Sequence, residues 1–355
     1  MKFKIVFVSS VVLVISNYSV LAASPWPADG TATANIASNL TTYNNTADGF
    51  EASGVEYLSD YGYIVNGDDG DLAVLSSAGE VLEYWLPTGD LEGVTVTDTS
   101  STNNKIYLAN ESGSIIEEFD LATGTKTGLA WTLSDLLVSG GAGFEALAYV
   151  PATDAPAVWG TAQSGGFFIA GSQAEAQLRV YTFDLSSSAT VSSLTQISVT
   201  YTDVSALYYD SLTKIVYVVF DGSNEMQEYN LTGSLIESYT LPTTGSEEGI
   251  VLIPNCSANL AQIVITNDAV SSTTSVYGNY PISCPVTTVD ADQDGVVSTS
   301  DCNDNDATVA SYLTVYQDYD GDGLGNPAVS QEVCATTAPT GYVTDNTDTD
   351  DSGVI

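Results

Sequence analysis

The 355-residue chain predicts an all-β fold: a β-propeller of five or six blades, followed by a small loop-rich calcium-binding module. Three observations carry this expectation. A short phrase recurs at blade-like spacing within residues 50–284, helical periodicity is scarce, and residues 285–355 turn strongly acidic. The overall charge sharpens it, since 45 acidic side chains face 6 basic ones and no histidine, for a net charge of −39. A charge this negative repels nucleic acid and anionic membrane surfaces. Without histidine there is no Ser-His-Asp triad, no Cys-His nucleophile, no imidazole zinc site and no histidine-ligated haem. Hydrophobic residues still make up 44%, enough for a packed core, so the expected partners are cations.

Residues 1–23 read as a signal peptide. Met1-Lys2-Phe3-Lys4 is a basic start, residues 5–15 are apolar, and Val20-Leu21-Ala22-Ala23 offers small residues for cleavage. Ser9, Ser10 and Asn17 interrupt the run, which is short for a membrane span. The expected location is therefore exported: periplasmic, cell-surface or extracellular. Lys105, Lys126, Arg179 and Lys214 are the cations beyond the leader. Residues 24–49, rich in Thr, Ala and Asn, read as an extended lead-in or an added edge strand. Such a strand offers a pairing edge to a neighbouring copy.

Residues 50–284 carry the repeat. Gly54-Val55-Glu56-Tyr57 is followed by Leu91-Glu92-Gly93-Val94-Thr95, Phe144-Glu145-Ala146-Leu147-Ala148, Val204-Ser205-Ala206-Leu207-Tyr208 and Glu247-Glu248-Gly249-Ile250-Val251. β-Rich runs such as Lys214-Ile215-Val216-Tyr217-Val218-Val219 come next, then turn residues and an outer strand. About 40 residues carrying about four short strands is the unit of a propeller blade. Residues 133–138 read as one helical turn. The first strand of each blade lines the central channel, which brings Glu56, Glu92, Glu145 and Glu248 together, with Ser205 in the remaining slot. Four converging carboxylates repel unless a cation or protons intervene. Calcium, which takes 6–8 oxygen ligands, suits such a ring.

Residues 285–355 hold 14 acids and no base. In the first loop Asp290, Asp292, Asp294, Ser298 and Asp301 place oxygens at positions one, three, five, nine and twelve. Gly295 sits at six, and the Val296 carbonyl serves seven. Alternating carboxylates wrap the ion while glycine permits the sharp turn. The second loop supplies Asp318, Asp320 and Asp322, then Leu324 at seven and Asn326 at nine. Val329 stands at twelve, so the closing carboxylate must come from elsewhere: Asp345, Asp348, Asp350 or Asp351, or Asp304 or Asp306. Cys256, Cys284, Cys302 and Cys334 allow three pairings. Cys256–Cys284 with Cys302–Cys334 is preferred because each closes a neighbouring segment; Cys284–Cys302 is the alternative.

Several of these residues also carry resemblances. Asp203-Val204-Ser205-Ala206-Leu207-Tyr208-Tyr209-Asp210, continuing through Asp221-Gly222-Ser223-Asn224-Glu225 to Glu247-Glu248-Gly249-Ile250, resembles the SdiA-regulated propeller family, which is related to phytase-like esterase propellers. That kinship implies an alternative activity, calcium-dependent phosphoesterase or esterase hydrolysis in the acidic channel. With four cations beyond the leader, an anionic substrate lacks the usual Lys and Arg clamps. The tail, from Tyr316-Gln317-Asp318-Tyr319-Asp320-Gly321-Asp322-Gly323 to Val333-Cys334 and Thr344-Asp345-Asn346-Thr347-Asp348, resembles the metal-binding repeat of MopE-type bacterial surface proteins. Its loops are also similar to thrombospondin type 3 repeats. Thr349 replaces that repeat's usual cysteine, which favours Cys302 as the partner of Cys334. The copper function attached to the MopE name relies on histidine, and hard oxygen ligands select calcium instead. The favoured expectation is a calcium-binding propeller that acts in surface binding, adhesion or extracellular assembly. Its partners would be cell-surface or matrix components or copies of itself.

Overall fold

Ile215-Val216-Tyr217-Val218-Val219-Phe220 shows the local logic of every blade. β-Branched and aromatic side chains suit a pleated surface covered on both faces, and Val216, Tyr217, Val218, Val219 and Phe220 are each at most 1% exposed. In the outer strand of the same blade, Leu235–Thr240, only Ser238 is buried. Side-chain oxygens close the turns between strands. Asn230 Oδ1 accepts hydrogen bonds from the amides of Thr232 and Ser234 at 3.0 and 2.9 Å, the bonding that makes Asn a turn former.

The computed structural model describes residues 23–43, 49–98, 104–139, 142–243, 245–268, 273–284, 292, 294, 296, 301–303 and 305–349. The signal-peptide expectation for residues 1–23 falls outside them except at Ala23. The chain divides into two compact units, Met1–Cys284 and Pro285–Ile355. In the first unit five sheets follow one another. Blade one is Ala52–Leu58, Gly62–Gly67, Asp71–Leu75 and Val81–Trp85; blade two is Leu91–Thr95, Lys105–Asn110, Ile115–Asp120 and Thr125–Leu133. Blade three is Phe144–Pro151, Gly166–Ser172, Gln177–Tyr181 and Thr195–Ser198, and blade four is Val204–Asp210, Ile215–Phe220, Glu225–Asn230 and Leu235–Thr240. Blade five has Glu247–Asn255, Leu260–Asn267 and Thr273–Pro281 from this part of the chain.

The lead-in completes blade five. Ala34 and Asn35 pair antiparallel with Val276 and Ser275, and the Ile36 amide reaches the Thr274 carbonyl at 3.0 Å. The edge strand expected within residues 24–49 is thus paired within the chain as the outermost strand of blade five, and the described residues form five blades. Each inner strand packs against the inner strands on both sides, ending with Glu247–Asn255 against Ala52–Leu58, so the ring closes. Five clusters of buried apolar residues fill the five blade–blade interfaces. Blades two and three are also laced together, since Ala189–Val191 leaves blade three to pair parallel with Trp131, Thr132 and Leu133 of blade two.

Residues 133–138 are not helical. Ser134 and Asp135 form a turn after the strand, and Asp135 is tied to the Ser193 hydroxyl at 2.6 Å and to Arg179. The preferred cystine pairing is observed, Cys256–Cys284 and Cys302–Cys334. The second unit holds a three-stranded sheet, with Leu313–Gln317 between Asn326–Val333 and Tyr342–Val343.

Candidate cation sites

The inner strands carry their chemistry on a bulge. Each accommodates one extra residue near its start, between Ala52 and Gly54, Leu91 and Val94, Phe144 and Ala146, Val204 and Ala206, and Glu247 and Gly249. A bulge re-aims the side chain it carries. The equivalent residues are therefore Ser53, Glu92, Glu145, Ser205 and Glu248. The small residue that follows each, Gly or Ala, lets neighbouring backbones close on the axis: a Cβ at Gly54 would lie 2.6 Å from the Glu92 carbonyl, and one at Gly249 2.6 Å from that of Ser53. The space left there, lined by Gly54, Gly93, Ala146, Ala206 and Gly249 among others, is about 10 Å3, near the size of one water.

Glu56 does not belong to this set. It lies three residues beyond the bulge, opposite Ile64, and lines a separate cavity of about 270 Å3 with Thr95, Val96, Tyr149 and Tyr208. The Tyr57 amide donates to its carboxylate at 2.9 Å, and burial pushes its pKa up to about 7. The common rhyme is a serine or glutamate, then a small residue, then Val, Leu or Ile. Ser53-Gly54-Val55 fits it, whereas the match on Glu56 is out of register.

Glu92, Glu145 and Glu248 do belong together. Burial raises all three carboxyl pKa values, and mutual repulsion adds to it: Glu145 and Glu248 act on Glu92, and Glu145 acts on Glu248. Glu248 is pushed up to about 9. Around them stand acids not anticipated above. The residue after each second strand is Asp68, Glu111, Gln173, Asp221 and Asp268 in blade order, four acids in five places. Burial and the charge of Glu51 lift Asp68 to about 6, and burial with Asp90 lifts Glu111 to about 6. The carboxylates of Asp90, Glu92 and Glu111 come within 4.8 Å of one another, as do those of Glu51, Asp68 and Asp69. Two full charges at that separation repel by about 3.5 kcal/mol at an effective dielectric near 20. Lys105, Lys126, Arg179 and Lys214 form their ion pairs elsewhere, with Asp120, Glu117, Glu175 and Asp154, each at 2.6 Å.

In the second unit, Asp318, Asp320 and Asp322 bring carboxylate oxygens within 4.8 Å of one another. Gly321 and Gly323 donate their amides to Asp318 at 2.9 and 3.2 Å, and both adopt positive φ, 78° and 91°, as the wrapped turn requires. The Leu324 amide is held by Asp322, and Asn326 begins a strand with its side chain on the Ala328 amide. Of the candidates for closing this loop, Asp348 arrives: its amide reaches the Gly325 carbonyl at 3.2 Å. Desolvation raises the Asp320 pKa, and the charges of Asp322, Asp348 and Asp318 add to the effect. Asp345 and Asp306 are instead committed to capping Thr347 and Thr308. In the first loop Asp292, Asp294 and Asp301 cluster within the same 4.8 Å, and the Val296 amide donates to Asp294 at 2.7 Å. Asp290, Ser298, Asp304 and Asp350 lie outside the described residues.

A closed ring of five blades, three of whose inner strands carry a glutamate on the bulge, defines a five-bladed propeller with an acidic mouth. The model of the SdiA-regulated family matches residues 39–250, and the chain belongs to that family. Among solved structures, the crystal structure of Myxococcus xanthus glutaminyl cyclase is similar at 12% identity with a TM-score of 0.45, over 66% of this chain and 92% of that one. No curated protein matches.

Proposed function

We propose that this chain is an exported calcium-binding propeller that works by binding, in surface attachment, adhesion or extracellular assembly, and that its tail unit is a calcium module. The observation that carries the reading is the poverty of that unit's core. Val309 and Val315 are its buried apolar side chains among the described residues, too little to order a chain of this length without staples. Cys302–Cys334 is one staple. Two wrapped carboxylate clusters supply the place for others, with Asp348 closing the second. The MopE-type resemblance agrees, as do two disulfides, which favour an oxidising compartment. No helix among the described residues is long and apolar enough to cross a membrane.

The test is thermal unfolding of the full chain in millimolar calcium and in excess chelator. A ligand held by the native state alone at one hundred times its Kd stabilises by about 2.7 kcal/mol. The expected result is an upward shift of the tail transition with calcium. Superimposable curves would overturn the proposal.

A further inference from the structure

Glu92 is 8% exposed, and no hydrogen bond to its carboxylate is found among the described residues. A largely buried carboxyl without a protein donor relies on water, a proton or a cation to meet its charge. What it meets is two more carboxylates. Asp90 comes from the segment entering blade two, Glu111 from the turn after that blade's second strand, and all three lie within 4.8 Å of one another. The loops are pinned for the purpose: the Glu111 amide donates to the Asp90 carbonyl at 2.8 Å, and the Leu91 amide to the Asp68 carbonyl at 3.2 Å.

The approach of Glu111 depends on a missing side chain. A Cβ at Gly143, at the entrance to blade three, would stand 2.1 Å from Glu111 Oε1. Glycine there leaves the carboxylate room to lie across the boundary between blades two and three. Glu145, on the bulge of blade three, adds a fourth negative charge within electrostatic reach of Glu92 and Glu111. Beside the cluster an open cleft of about 330 Å3, lined by Asp90, Glu111, Ser112, Ser114 and Ser139 among others, connects it to solvent.

We propose that Asp90, Glu92 and Glu111 form a divalent-cation site at the boundary of blades two and three, with calcium as its ion and water from the cleft filling the open positions. All-oxygen ligands of flexible geometry suit calcium. This site is off the axis, unlike a ring with one acid per blade. Two of its three ligands, Asp90 and Glu111, come from loops outside the repeated inner-strand phrase. All three ligands belong to the first unit.

The test uses the full chain with the tail silenced by Asp292→Asn, Asp294→Asn, Asp320→Asn and Asp322→Asn, titrated calorimetrically with calcium chloride in 0.5 M NaCl to screen diffuse attraction. One equivalent of calcium is expected to bind. Glu92→Gln should abolish it, and Gly143→Ala, which removes no charge, should weaken it at least tenfold by displacing Glu111. Circular dichroism matching the parent confirms that each variant is folded. Should either change prevent folding, Glu111→Gln at the exposed side of the cluster provides the same reading. Absence of the equivalent in the parent, or its persistence in the folded variants, would overturn the site.

Discussion

Among the described residues no Lys or Arg pairs with Glu56, so its proton carries the consequence of burial. Its pKa stands at about 7 against 4.5 for the free side chain, chiefly through desolvation, with the Tyr57 and Val96 amides and the Thr95 hydroxyl pulling the other way. A carboxyl raised on folding holds a proton that the unfolded chain has already released. Its stabilising contribution is complete below about pH 4.5 and is lost as pH rises through 7. Glutamine carries no such cost. Glu56→Gln is therefore expected to leave stability unchanged at pH 4.5 and to raise it by up to roughly 3 kcal/mol at pH 8, measured by urea unfolding at both values. Equal destabilisation at the two pH values would assign Glu56 a packing role instead. The same residue marks a limit of legibility. Its charge invites alignment with Glu92, yet the bulge register selects Ser53, and the small residue that follows each bulge was the signal that charge matching passed over.

At the level of elements, the acidic loops were the most readable feature because their carboxylates are neighbours in the chain. Spacing alone placed Asp318, Asp320 and Asp322 together. It did not single out the residue that closes their loop, since that depends on how Tyr342–Val343 pairs beside Leu313–Gln317 and returns Asp348 to Gly325. Two consequences differ in kind. Asp320→Asn should lower calcium affinity of the tail by tenfold or more in a titration, as loss of a full ligand charge. Asp348→Asn should lower it less while speeding calcium release in a stopped-flow chelator experiment, because its amide still holds Gly325. Identical behaviour of the two variants would remove the distinction between wrapping and closing ligands. The blade acids Asp68, Glu111, Asp221 and Asp268 were missed for the opposite reason. They become equivalent only once strand pairing is known, and Gln173 breaks the series.

Across the whole molecule, the repeat announced the propeller and its five inner strands, while the closure was beyond periodicity. Ala34–Asn35 contributes a strand outside the repeated phrase, so only pairing with Thr273–Pro281 reveals the count as five. Ile36, Ala37 and Leu40 go into the core with it, each at most 2% exposed. Burial of the two larger side chains is worth about 3–6 kcal/mol, so a chain lacking residues 24–43 should melt about 10 °C lower or more. Calorimetry decides this, and an unchanged midpoint would show that blade five stands without its fourth strand. The clasp also orders events in time. The propeller's earliest strand, Ala34–Asn35, is the partner of its latest, Thr273–Pro281, and contacts so distant in sequence are slow to form. Until blade five exists, the opening segment has nothing to grip; until that segment returns, blade five presents a bare edge. A chain that stops short of Pro281 cannot finish its own circle, so closure doubles as a check that the propeller has been made in full.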